Sequence, residues 1–184
     1  MEQSEEESHA YRNAKAGAES IAAMVAALGC DYDRLEELKD ERGALVDAQQ
    51  AANAGDLEER TAAALALADW DAEYGEEFGD LVDAAGDCED RDDAERRIQE
   101  DPLSIEIRSG WHSPGETLEP EDFQILLTTG GPALRIIGEL DEHREPHRAW
   151  LEHQNWFKPW TEYHGEGCDQ DTLLTYCQQF YFGE

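Results

Sequence analysis

The sequence predicts an α+β protein: an N-terminal acidic antiparallel helical hairpin, then a small antiparallel β-sheet packed against a C-terminal helix. Three observations carry that prediction. Apolar residues recur every three to four positions through the first hundred residues, the period of a helix. From Leu103 the period shortens to two, the period of a half-buried strand. The charge is lopsided, with 45 acids against 14 bases in 184 residues and a net charge of -31.

Each element follows from a local pattern. Residues 1–9, beginning MEQSEEES, read as a frayed acidic tail. Residues 10–100 read as the hairpin plus a short helix. In them Ile21, Met24/Val25, Leu28, Tyr32, Leu35, Leu38 and Leu45 form one amphipathic stripe. Asn53-Ala-Gly55-Asp56 then ends one helix and caps the next. The stripe resumes through Leu57, Leu67, Trp70, Tyr74, Phe78, Leu81 and Ala85, and the short loop predicts antiparallel neighbours. A shorter helix is expected over 90–100, stopped by Pro102. Residues 102–184 read as the sheet with its helix. Ile105 and Ile107 alternate with Glu106 and Arg108, two apolar runs flank Gly130-Gly131 as a hairpin, and HRAWLEHQNW makes a fourth strand. Leu173, Leu174, Tyr176, Cys177 and Phe180 have the spacing of a helix lying on that sheet. There is no internal repeat.

Composition narrows the partners. With 40% hydrophobic and 9% aromatic residues the chain can bury a core. Binding to nucleic acid or to an anionic membrane is disfavoured, because phosphate contacts need Lys and Arg to release counterions. The four cysteines, Cys30, Cys88, Cys168 and Cys177, form no C-x-x-C pair, and no apolar run approaches the ~18 residues of a membrane span. With no basic, apolar leader at the N-terminus, the expectation is a cytoplasmic protein with reduced thiols.

The acids cluster most densely in residues 69–95. Asp69, Asp71, Glu73, Glu76, Glu77, Asp80, Asp83, Asp87, Glu89, Asp90, Asp92, Asp93 and Glu95 face only Arg91, which leaves -12 over 27 residues. A wholly helical segment of that length is roughly 40 Å long at ~1.5 Å per residue. One strand of B-DNA carries a charge every ~3.4 Å, hence roughly twelve over the same length. The first twelve of these acids are therefore the candidate face for a basic DNA-binding protein. Two plainer origins compete. A charge run is usually a solvated helix face. A salty cytoplasm also favours acids over lysine, which occurs only at 15, 39 and 158, although arginine occurs eleven times. The excess is net -20 over 1–100 and -11 over 101–184, so the helices are enriched but do not hold all of it.

A second candidate contact is aromatic. Trp150, Trp156, Phe157, Trp160 and Tyr163 fall within fourteen residues. In a small domain such residues are most often core, yet Lys158 and Pro159 among them predict a loop. Trp156, Phe157, Trp160 and Tyr163 are the members expected to anchor a partner there.

No reaction is legible. His143, His147 and His153 lie near Glu142, Glu145 and Glu152, but H-R-E-P-H lacks the order of a zinc-protease helix and Pro146 argues for a loop. His164, Glu166 and Cys168 offer no second ligand pair, and Cys177 falls on an apolar stripe. Gly130-Gly131 leads into a strand and is a turn, not a phosphate loop. DCEDRDD lacks the order of a calcium loop. The expectation is a protein that is not an enzyme and has no cofactor and no dedicated metal.

The stretches RSGW, ILLTTGGPALRI, RAWLEHQNWFKPWTEY and LLTYCQQFYFGE, spread over about residues 102–184, resemble a group of short reading frames carried by bacteriophages, prophages and other mobile elements of Gram-negative bacteria. The resemblance implies no activity and transfers no site residue. It implies a context, since small acidic proteins of mobile elements include DNA mimics that inhibit restriction and CRISPR systems. The reading that results is an acidic inhibitor of a host DNA-binding complex, a CRISPR effector or restriction enzyme. The alternative is an assembly protein that oligomerises, for instance as a homodimer, through its helical hairpin.

Overall fold

The structure is a computed structural model that describes residues 2–116 and 118–183, with residues 2–8 given by their backbone. Its elements are α1 (Glu2–Leu28), α2 (Tyr32–Ala52), α3 (Leu57–Ala85), α4 (Arg91–Glu100), β1 (Ser104–Arg108), β2 (Asp122–Thr128), β3 (Ala133–Leu140), β4 (Pro146–Gln154), β5 (Thr161–Glu162) and α5 (Gln170–Cys177). The α+β class holds. No helix among the described residues is long and apolar enough to cross a membrane.

Two compact units divide the chain: Met1–Val25 with Ala94–Glu184, and Ala26–Asp93. This differs from the division at residues 100–102 read from the sequence. The backbone is helical from Glu2, where a frayed tail was expected. The physical reason is the face formed by Ala10, Ala14, Ala18 and Ile21, which is fully buried. Small side chains let this helix come close to the sheet: a Cβ on Gly17 would collide with Leu134 of β3. The first helix therefore belongs to the sheet's core.

The sheet is an antiparallel meander in the order β1-β2-β3-β4-β5. The register aligns Ile105, Ile125, Ile136 and Leu151 across four strands, and Ile107, Phe123, Gly138 and Ala149 beside them. Those eight share one face, and from Phe123 and Ile125 onward they are buried. The opposite face is polar and aromatic. There Arg135 pairs with Glu152 at 2.6 Å, reaches Gln124 at 2.6 Å and lies under the Trp160 ring at 4.1 Å from its centroid. The two-residue β5 was not foreseen; it pairs with Glu152 and His153. Beyond it β4 is an edge, and the Gln170 amide lies 3.0 and 3.1 Å from the Ala149 N and O, so that with its oxygen turned to the N–H and its NH2 to the carbonyl it bridges both and ties the start of α5 to the strand. Tyr176 of α5, fully buried, donates its hydroxyl to Asp101 at 2.6 Å.

In the second unit α2 and α3 form the expected antiparallel hairpin. Contacts run Arg34 to Glu77 and Arg42 to Asp71, so sequence rises along one helix as it falls along the other. Asp56 begins α3 with a full capping box: its carboxylate accepts from Glu58 N–H and Glu59 N–H, and Glu59 accepts from Asp56 N–H. The stripe from Ile21 to Leu45 is not one helix. It is interrupted at Gly29–Asp31, where Asp31 accepts from Arg34 N–H at 3.0 Å as the N-cap of α2.

Candidate functional site

The buried stripe of α3 is built on Trp70 and Ala85, with Leu67, Tyr74, Phe78 and Leu81 half-buried between and beside them. Trp70 meets Tyr74 at a tilt and Phe78 edge-on, and its indole N–H donates to Glu41 of α2 at 3.2 Å. The acids of α3 sort around this stripe. Asp69, Glu73, Glu76, Asp80 and Asp83 step by four, three, four and three residues, and Asp87 continues the sequence just past the helix end. At 3.6 residues per turn the five within α3 hold one line, about 140° around the helix from the buried stripe, and Asp87 follows the Gly86 turn that ends the helix. All six are exposed, and none has a cationic partner among the described residues.

The flanking acids differ. Glu77 receives Nε and Nη2 of Arg34 at 2.9 and 3.1 Å, and Asp71 receives Nε of Arg42 at 3.2 Å. The same arginines lie near the Tyr74 and Phe78 rings. The Arg34 guanidinium holds the Glu77 carboxyl below its ordinary pKa, and the pairing raises that of Arg34. The cations of α2 thus neutralise the flank and leave the outer line bare. Sequence reasoning named the acids but not this sorting; the signal was the alternating spacing of four and three.

The length of a wholly helical segment does not apply to all 27 residues: α3 ends at Ala85 and Gly86 turns the chain at φ 56°, between the two helices that the sequence predicts. Residues 69–85 span roughly 25 Å at ~1.5 Å per residue. Their seven acids give one charge per ~3.6 Å, close to the ~3.4 Å of one DNA strand. The five on the bare line give one per ~5 Å. The remaining candidates lie after the turn. Glu89 and Asp90 are exposed and precede α4, Asp92 is exposed in its first turn, and Asp93 is half-buried. Asp90 accepts from Asp93 N–H at 2.7 Å and Asp93 from Glu89 N–H at 3.3 Å, so these two carboxylates serve the helix start.

The aromatic candidates separate as well. Phe157 is fully exposed, at 101%, and Trp156 is 56% exposed. They stack loosely on each other at φ 27° and 21°, a backbone region that bulky side chains rarely adopt. Trp156 lies across the hairpin turn, where a Cβ on Gly131 would collide with its indole. Trp160 and Trp150 are half-buried on the polar face of the sheet. Tyr163 is no surface contact. It is buried against Tyr11 at 5.2 Å between centroids, with its hydroxyl donating to the Glu166 carbonyl at 2.8 Å. Its place at the end of β5, facing α1, accounts for the correction.

The histidines do not converge. His143 sits in the turn after β3, His147 is on β4 at 3.6 Å from Glu139, and His153 is half-buried against Tyr11. Among the described residues no group of three or more His, Cys, Asp or Glu is placed to hold a metal ion. Cys177 is buried, and burial pushes its thiol pKa up.

The chain matches no protein-family model, no curated protein and no solved structure. The geometry of α3 is therefore what a functional reading has to rest on.

Proposed function

We propose that this protein is a non-enzymatic, phage- or mobile-element-encoded inhibitor that mimics DNA and blocks a host DNA-binding defence complex, a CRISPR effector or a restriction enzyme. The observation that carries the reading is the bare line Asp69, Glu73, Glu76, Asp80 and Asp83 of α3. Carboxylates three and four apart on one helix face repel, at about 0.2–0.5 kcal/mol for each pair. Arginines available to α3 pair with its flanks instead. A surface that keeps its repulsion has its charge free for a cationic partner, whose Arg and Lys would meet one free carboxylate per ~5 Å of helix, about two-thirds of the axial density of phosphates on one DNA strand. The binding would be competitive with DNA and weakened by salt. The Debye length falls from about 10 Å at 0.1 M toward about 4 Å at 0.5 M.

The test is affinity capture from lysate of the bacterial host at ~0.1 and ~0.5 M salt, with duplex DNA as competitor. The reading expects one DNA-binding complex, held at low salt and displaced by duplex. Neutralising four acids (Glu73→Gln, Glu76→Gln, Asp80→Asn, Asp83→Asn) is expected to weaken the interaction roughly 10- to 100-fold, at up to about 1 kcal/mol for each exposed contact. Capture that is indifferent to salt, duplex and these substitutions would exclude DNA mimicry.

A further inference from the structure

The far half of the hairpin, residues 43–68, is built differently from the acidic half. It carries Asp47, Asp56, Glu58 and Glu59 against Arg60, a net charge of -3 over 26 residues, where 69–95 carries -12 over 27. It also holds no fully buried residue, although Leu45, Val46 and Leu67 are half-buried: the buried residues of α2 are Leu35 and Leu38, and those of α3 are Trp70 and Ala85. Two helices alone expose much of their apolar surface, and here the excess gathers on a second line. Leu57, Thr61, Leu65, Ala68 and Ala72, spaced by four, four, three and four, are all exposed, Leu57 at 76% and Leu65 at 59%. This line lies about 80° around α3 from the acidic line and about 140° from the buried stripe. Leu57, Glu58, Thr61, Ala62 and Leu65 border a shallow, mainly apolar depression, with Glu58 at its edge the one charged residue.

We infer that this line is a homodimer interface, on which the hairpin tips of two copies pack into an antiparallel four-helix bundle. Charge selects the occupant. A cationic partner gains most along the acidic half and little at the tip. A second copy of this chain, itself at -31, is repelled along the acidic half and can approach only where the charge falls away. A two-fold axis makes the contact self-complementary, so each Leu57–Leu65 line meets its own counterpart. Antiparallel packing with short loops is the ordinary way such hairpins complete a core. The interface leaves the acidic lines of both copies uncovered, so it stands independently of the function proposed above.

The experiment is sedimentation equilibrium on the full chain over ~1–100 µM at 0.1 and 0.5 M NaCl. Screening removes repulsion between copies while apolar burial persists, so dimerisation is expected to tighten severalfold as salt rises. This is opposite in sign to the salt response of the proposed DNA-competing contact. The double variant Leu57→Glu/Leu65→Glu is expected to be monomeric across the range with an unchanged circular dichroism spectrum, because both side chains are exposed in the monomer. Amide exchange in the unsubstituted chain supplies a readout that needs no variant: protection of residues 57–68 should rise with protein concentration. A chain that is monomeric at ~100 µM in both salts overturns the inference. So does a dimer that survives the double variant, or protection at the tip that is independent of concentration. The four-acid variant of the preceding section should dimerise at least as well as the unsubstituted chain. Loss of target capture without loss of dimer separates the two ideas.

Discussion

At the scale of single residues, the side chains with unusual surroundings lie in the sheet unit. His153 is half-buried beside Tyr11, its Nδ1 has no hydrogen-bond partner, and burial lowers its pKa below 6.5. The unfolded chain therefore takes up the proton more readily than the folded one. Stability is lost as pH falls below 6.5, and the loss levels off once the depressed folded value is passed. Comparing melting temperatures at pH 7 and 5.5, His153→Gln should lose less than the unsubstituted protein, the other five histidines being common to both. An equal loss would mean that the ring is solvated in the folded state. Arg135, with Glu152, Gln124 and Trp160 around it, was invisible in the sequence. It alternates correctly as an outward residue of β3, but nothing in the pattern pairs it with a residue 17 or 25 positions away. Cross-strand partners are set by register, and register is decided by turns and bulges more than by composition.

At the scale of elements, legibility followed the length of the pattern. The α2–α3 hairpin was readable because Asn53–Asp56 combines a helix stop with a capping residue, and the structure has the full capping box there. The break between α1 and α2 was not. Leu28 and Tyr32 are four apart, so the apolar stripe passes over Gly29–Asp31 without losing step. The start of α1 has no such signal: MEQSEEES carries no apolar stripe, and the helix extends to Glu2 from the part that packs at residues 10–21. In the sheet, Gly138 gives an element-level prediction. Its missing side chain makes room for the Phe123 ring, and a Cβ would also collide with the Arg148 carbonyl on the next strand. Backbone on one side and a packed ring on the other leave no direction in which to yield. Gly138→Ala is expected to cost about 1–3 kcal/mol, read as a shifted denaturation midpoint with unchanged slope. A cost near zero would mean that β3 and β4 slide apart easily at this register.

At the scale of the whole molecule, the question is whether the acidic line is tolerated, required or used. Self-repulsion at a net charge of -31 disfavours the compact state, and added salt should relieve it. The melting temperature is therefore expected to rise between 0.05 and 0.5 M NaCl. The variant Glu76→Gln/Asp80→Asn/Asp83→Asn removes three adjacent like-charge pairs of the line within α3, those of 73 with 76, 76 with 80 and 80 with 83. At about 0.2–0.5 kcal/mol each they sum to about 0.6–1.5 kcal/mol, or roughly 1–6 °C for a chain of this size. The variant should melt higher than the unsubstituted protein at low salt and gain less from added salt. That result would mean the native sequence gives up stability to keep the line charged, as a binding surface requires. A merely solvated face with the same bare acids would melt higher in the same way, so the melt measures the uncompensated repulsion, and salt-sensitive capture displaced by duplex DNA decides whether the line is used. A variant that melts lower than the native chain at every salt would show the carboxylates to be structural, and would count against both the mimicry and the bare line on which it rests. Adaptation to a salty cytoplasm makes a third pattern: both proteins would need molar salt to fold, and neutralising one line among many acids would hardly change that requirement.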